Sequence, residues 1–139
     1  MCTAAGIMSV APSHSHIHIV PAWKGCSRNY VDELLQQSNI QVKCQWDVWA
    51  DYHFGGFGKY NMDLVDQMYA FTADTQIPLD PVYTGKLMYA IKDKMQSGYF
   101  SRADKVIAIH TGGLQGLEGF YYRDPATWDL YYQMCRQLI

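Results

Sequence analysis

The stretch Ile107-Ala108-Ile109-His110-Thr111-Gly112-Gly113-Leu114-Gln115-Gly116-Leu117 constrains the fold of this chain more than any other. A short apolar run that passes through a threonine into a glycine pair, and then into a second apolar pattern, reads as a strand feeding a helix. At the carboxyl end of a strand such a junction brings backbone close to a bound ring or anion, and open parallel sheets build their sites there. The stretch therefore predicts a buried strand over 105–110, a helix over 114–122 and a pocket between them.

The rest of the chain predicts more of the same alternation. A first helix over 4–10 is followed by Pro12 and a strand over 17–20 that ends before Pro21. Ser27 is placed to cap a helix over 28–37, with Tyr30, Leu34 and Leu35 on its apolar face and Asp32 and Glu33 near its positive end. A strand over 40–46 comes next, so strand, helix and strand form an α/β unit with a parallel sheet. Tyr52 to Tyr60 mixes glycines with aromatics and reads as a loop over a pocket. Asn61 caps a helix to about Asp74 with Met62, Val65, Met68 or Tyr69, and Thr72 inward. Asp80-Pro81 turns the chain into a helix over 84–96 that Gly98 stops, and Pro125 opens a last helix to about Leu138. No repeat or linker divides residues 1–139, which are expected to form a single partial α/β domain.

Composition narrows the partners. With 139 residues, 49% of them apolar, the chain can bury a core. A formal charge of -2 with no basic tract argues against nucleic acid and against an anionic membrane surface. The apolar runs fall far short of a bilayer span, and the amino terminus lacks the pattern of a secretory signal, so a cytoplasmic location is expected. Cysteines 2, 26, 44 and 135 make no paired-thiol motif and are expected as free thiols.

The residues allow several chemistries. The Thr111 hydroxyl with Gly112 and Gly113 can line a heteroaromatic nitrogen, or the glycines can simply let a helix pack near the sheet. Tyr83, following an Asp-Pro turn, can lie against a flat cofactor and reach a substrate with its phenol, or pack at a sheet edge. His14, His16 and His18 alternate, which in a strand puts three imidazoles on one face. Such a ladder can ligate zinc or copper, although surface histidines on a strand edge are commoner. Asp47, Asp51 and His53 are candidates for an acid-base set, with solvated loop residues as the plainer account.

Two motifs, Ile77-Pro78-Leu79-Asp80-Pro81-Val82-Tyr83-Thr84-Gly85-Lys86-Leu87-Met88 and the Ile107–Leu117 stretch, occur in order and are separated by a helix and the Gly98-Tyr99-Phe100 turn. Together they resemble the carboxyl-terminal part of the 1-aminocyclopropane-1-carboxylate deaminase and D-cysteine desulfhydrase family of fold-type-II pyridoxal-phosphate enzymes. The resemblance runs from about Thr3 to Tyr122 and implies a partial fold-type-II α/β domain with a mostly parallel sheet flanked by helices. It implies pyridoxal 5'-phosphate as cofactor and a small amino acid as substrate, with ammonia and a 2-oxo acid as products of the intact enzyme. It supplies no metal, and none is expected.

The resemblance also assigns roles. Tyr83 corresponds to the family's active-site tyrosine. Thr111, with Gly112, corresponds to the contact with the pyridine nitrogen in the desulfhydrases. The deaminases instead use a glutamate at the position of Thr84, so the paired threonines favour desulfhydrase-like electronics. Phe57 stands where relatives present a second active-site tyrosine, which keeps the ring and removes the phenol from the substrate pocket. Thr3 and Gly6, in Thr3-Ala4-Ala5-Gly6, resemble the end of the phosphate-cradling loop, whose glycine-rich start is not matched here. Lys86 is expected to be a charged helix residue, because the family's Schiff-base lysine lies on an early helix of the amino-terminal half. His110 is expected as a buried residue at the strand end. The chain is thus expected to be inactive alone, working with a missing amino-terminal half or associating with itself through the exposed face. The rival readings are a non-catalytic remnant or subunit and a freestanding small-ligand-binding module.

Overall fold

A computed structural model describes residues 2–139, without the side chain of Cys2. Helices dominate it. They are α1 (Cys2–Val10), α2 (Arg28–Gln37), α3 (Met62–Thr75), α4 (Thr84–Gln96), α5 (Leu117–Arg123) and α6 (Pro125–Leu138). Among the described residues the strands are β1 (His16–Ile19) and β2 (Gln45–Val48), which pair in parallel with His16 opposite Gln45 and His18 opposite Asp47. The architecture is therefore mixed helix with a small parallel sheet, an α/β arrangement with far less sheet than the sequence predicts.

Local signals placed most helix boundaries. The Ser27 hydroxyl accepts from Tyr30 N at 3.2 Å and starts α2, and the Asn61 side chain accepts from Leu64 N at 3.0 Å and starts α3. Pro125 occupies the first turn of α6, whose cap is the Asp124 carboxylate. The inward faces shift slightly from expectation. In α2 Val31 and Leu35 are buried while Tyr30 is exposed, and in α3 Leu64, Val65, Met68 and Thr72 are buried while Met62 points outward.

Two corrections concern strands. The second strand lies at Gln45–Val48, overlapping the predicted 40–46 by two positions. Residues 105–110 form neither a strand nor buried structure, and Ile107 is 80% exposed. A strand exists only where a neighbour accepts its ladder bonds, and the two-stranded sheet lies elsewhere in the chain.

Two apolar clusters hold the molecule together. One joins α3, α5 and α6 through Leu64, Met68, Leu117, Phe120, Trp128 and Tyr131. The other packs α1 and α2 on the sheet through Met8, Ile19, Val31, Leu35 and Trp46. Cys26, Cys44 and Cys135 are buried free thiols. Among the described residues, no helix is long and apolar enough to cross a membrane.

Candidate active site around Asp80

Asp80 is the centre of the site. Its side chain is buried, and its carboxylate accepts from Val82 N and Tyr83 N at 2.8 Å, from Thr84 N at 2.9 Å and from the Thr84 hydroxyl at 2.7 Å. Asp80 N in turn donates to the Thr84 hydroxyl at 2.8 Å, and Gly85 N donates to Asp80 O at 2.8 Å. An anionic acceptor aimed at the N–H groups of a helix start satisfies donors that have no partner within the helix. The turn is also held from below. The Tyr131 hydroxyl accepts from Leu79 N and donates to Leu79 O, both at 2.8 Å, and burial pushes that phenol well above its ordinary pKa.

Three stretches far apart in sequence meet at this turn. Tyr83, half exposed at 49%, extends from it, and the Phe57 ring meets the Tyr83 ring edge-on at a centroid distance of 6.1 Å. From the other side His110 Nε2 lies 3.0 Å from Pro78 O, and His110 Nδ1 accepts from Gly112 N at 3.2 Å. Gly113, at φ 96°, sits so close that an added Cβ would lie 3.1 Å from both Asp80 Cγ and Oδ2. The glycine pair is therefore required by a left-handed turn against a carboxylate.

Gly85 is required by packing instead. A Cβ there would lie 2.6 Å from Met68 Sδ and 2.9 Å from Asp80 O. Gly85→Ala is expected to lower stability by about 2–3 kcal/mol through overpacking against α3, measurable as a lowered urea midpoint. An unchanged midpoint would show that Met68 moves aside at little cost.

The remaining expected site residues fall in different places. Thr84 is buried with its hydroxyl engaged on Asp80, so it shapes the turn beneath Tyr83 rather than presenting a free hydroxyl to a cofactor. Thr111 is exposed beside half-buried Gly112. His110 is exposed too, contrary to the expectation of a buried residue, because the segment before it has no covering neighbour strand. Thr3 and Gly6 are exposed positions of α1, a helix that packs by Met8 into the sheet-side cluster and not into the cluster beneath Asp80. Asp47, Asp51 and His53 divide: Asp47 pairs with His16 and His18, Asp51 is exposed, and His53 Nδ1 accepts from Gly55 N at 2.9 Å.

Lys86 was missed as a buried group. Its side chain is 0% exposed, and Nζ donates to His53 O and Gly56 O at 2.8 Å and to Ala22 O at 3.2 Å. Burial lowers its pKa to about 8, while the nearby Asp80 carboxylate acts in the opposite direction. The glycine-rich loop holding Phe57 is thus tied from within α4 to the connection after β1. No local sequence signal marks this burial, because the acceptors that hold the amine lie 30, 33 and 64 positions earlier in the chain.

Sequence comparison identifies relatives of the chain. The chain is 35% identical over 95 residues to a Pyrococcus abyssi protein named "Putative 1-aminocyclopropane-1-carboxylate deaminase", covering 68% of this chain and 28% of that protein. It is 31% identical over 105 residues to a Klebsiella pneumoniae D-cysteine desulfhydrase, covering 68% of this chain and 32% of that protein. The chain is a relative of these deaminases and desulfhydrases. A Pyrococcus furiosus protein with the same deaminase name is 33% identical over 92 residues, covering 66% of this chain and 26% of its own length. The chain therefore spans less than a third of the length of these curated relatives. No family profile matches the chain, and no solved structure matches it.

Proposed function

We propose that this chain forms one wall of the active site of a pyridoxal-phosphate-dependent deaminase or lyase acting on a small amino acid. It is the carboxyl-terminal portion of a fold-type-II enzyme, of D-cysteine desulfhydrase or 1-aminocyclopropane-1-carboxylate deaminase type. The observation that carries this reading is the convergence of Phe57, Tyr83 and the Gly112–Gly113 turn on buried Asp80, in a chain whose relatives bear those two names.

The residues present fit one face of the cofactor and not its covalent anchor. Tyr83 offers a half-exposed aromatic face and a phenol, Thr111 an exposed hydroxyl, and Gly112 and Gly113 a backbone without side chains. Pyridoxal phosphate, when bound, supplies the electron-withdrawing ring that stabilises charge at the α-carbon of an amino acid. The wall described here orients that ring and holds a proton at the Tyr83 oxygen. Lys86 cannot attack an aldehyde while its amine is enclosed by three carbonyls, so the amine for that bond comes from residues outside this wall. Val106, Ile107 and Ile109 present an exposed apolar run, which suits a face covered by the remaining part of a longer enzyme or by another copy.

A chimera tests the proposal. In it this chain replaces the matching stretch of the Klebsiella desulfhydrase, and sulfide and 2-oxo acid release from D-cysteine are measured. Turnover is expected, with Tyr83→Phe lowering it on the order of 100-fold if the phenol transfers a proton. A folded chimera that binds the cofactor but releases neither D-cysteine products nor ammonia from 1-aminocyclopropane-1-carboxylate would overturn the reading.

A further inference from the structure

We propose that His16, His18 and Asp47 form a binding site for a divalent cation of the zinc class, separate from the Asp80 site. The strand register builds it. His16 and His18 are alternate residues of β1 and share a face, and Asp47 lies opposite His18 on β2. His18 Nδ1 lies 2.6 Å from Asp47 Oδ1, and His16 Nε2 lies 3.3 Å from Asp47 Oδ2. One ligand atom from each residue falls within 4.8 Å of the others, a spread that a single ion can span.

Zinc takes nitrogen at about 2.0–2.1 Å and carboxylate oxygen at about 2.0–2.2 Å, so neighbouring ligands of a tetrahedral site stand roughly 3.3 Å apart. The His16 Nε2 to Asp47 Oδ2 separation already has this value, the His18 Nδ1 to Asp47 Oδ1 pair opens by less than an ångström, and the ligand atoms, all within 4.8 Å of one another, close around the ion. Two imidazoles and one carboxylate with a position left for water is a ligand set suited to zinc. Ring orientation is fixed without the ion. His18 stacks on Trp49 with centroids 4.3 Å apart, and the rings of Tyr99 and Phe100 meet His18 edge-on. Such an aromatic wall lowers the entropy lost when the ligands close on a metal. His14 precedes β1 and is exposed, so only two of the three alternating histidines take part. Arg28 lines the same cleft, but its guanidinium is held over the Trp46 ring and donates to Trp46 O.

Calorimetric titration of the purified 139-residue chain with zinc chloride tests the site. One equivalent is expected to bind, raising the melting temperature on the order of 10 °C when zinc stands about 100-fold above its Kd. His18→Ala and Asp47→Ala are each expected to weaken binding at least about 100-fold, since each removes one of three ligands, whereas His14→Ala leaves it unchanged. Should a variant fail to fold, the unmodified chain still answers the question. Its His16 and His18 ring-nitrogen resonances must shift on zinc addition, and cobalt must give the intense visible bands of a four- or five-coordinate site. Absence of saturable binding, binding that survives the His18 and Asp47 substitutions, or unchanged ring resonances would each overturn the proposal and leave a histidine–aspartate hydrogen-bonded cluster.

Discussion

Replacing Asp80 by alanine is expected to lower the stability of this chain by about 3–5 kcal/mol, the range seen when a buried charge network loses one partner. Four donors converge on that carboxylate, and three of them are backbone N–H groups at the start of α4. Each buried donor left without an acceptor costs about 1–3 kcal/mol, and partial collapse of the turn recovers some of that sum. Asp80→Asn is expected to fall between alanine and the native residue, because one carbonyl oxygen remains while the amide N–H₂ faces other donors. Thr84→Val removes a single hydroxyl and is expected to cost about 1–2 kcal/mol. Urea unfolding of the three variants tests the order. A loss below about 1 kcal/mol for Asp80→Ala would mean that the helix start is held by the apolar packing of Leu79 and Gly85 alone. The consequence extends to the site, because Tyr83 and Gly113 both depend on this carboxylate, one through its backbone N–H and the other by contact.

Lys86→Met is expected to have the second large effect, a loss of about 3 kcal/mol with the packing of the side-chain stem retained. Three carbonyls, from Ala22, His53 and Gly56, would lose a charged donor, and the loop bearing Phe57 would lose its tie to α4. Faster hydrogen exchange over 53–58 in Lys86→Met than in the native chain would locate the effect. Exchange confined to the native pattern would show that the loop is held by other contacts.

The same lysine predicts a pH dependence of definite sign. Its folded-state pKa of about 8 lies below the ordinary value of 10.5, so between these pH values the unfolded chain binds more protons than the folded one. Stability from this group therefore rises with pH across that window, by about 3 kcal/mol at most. Tyr52 acts oppositely above pH 10, because burial and its bond to Asp93 push its phenol up to about 12. The stability difference between native chain and Lys86→Met isolates the lysine, and it is expected to grow as pH rises from about 8 toward 10. A difference independent of pH would show that the three carbonyls fully compensate the ammonium for its burial.

What the sequence determined by itself was local. Helix α4 was legible at both ends because a buried-turn residue, a permissive glycine and the stop at Gly98 all act within a few residues, and Ser27, Asn61 and Pro125 marked three other starts in the same way. Phe57, Tyr83 and the Gly112–Gly113 turn were singled out by motif, and the structure brings them together around Asp80. The tertiary structure alone decided the rest. Whether 105–110 is a strand depends on a neighbour that no local pattern encodes, whereas the parallel pairing of β1 with β2 follows the strand–helix–strand order read in the sequence. Whether Lys86 is exposed depends on carbonyls 30, 33 and 64 positions away in the chain, and whether Asp47 is a solvated loop residue depends on the histidine 29 positions before it. Caps and turns are set by interactions between near neighbours, whereas strand partners and buried charges are set by groups that only folding brings within reach.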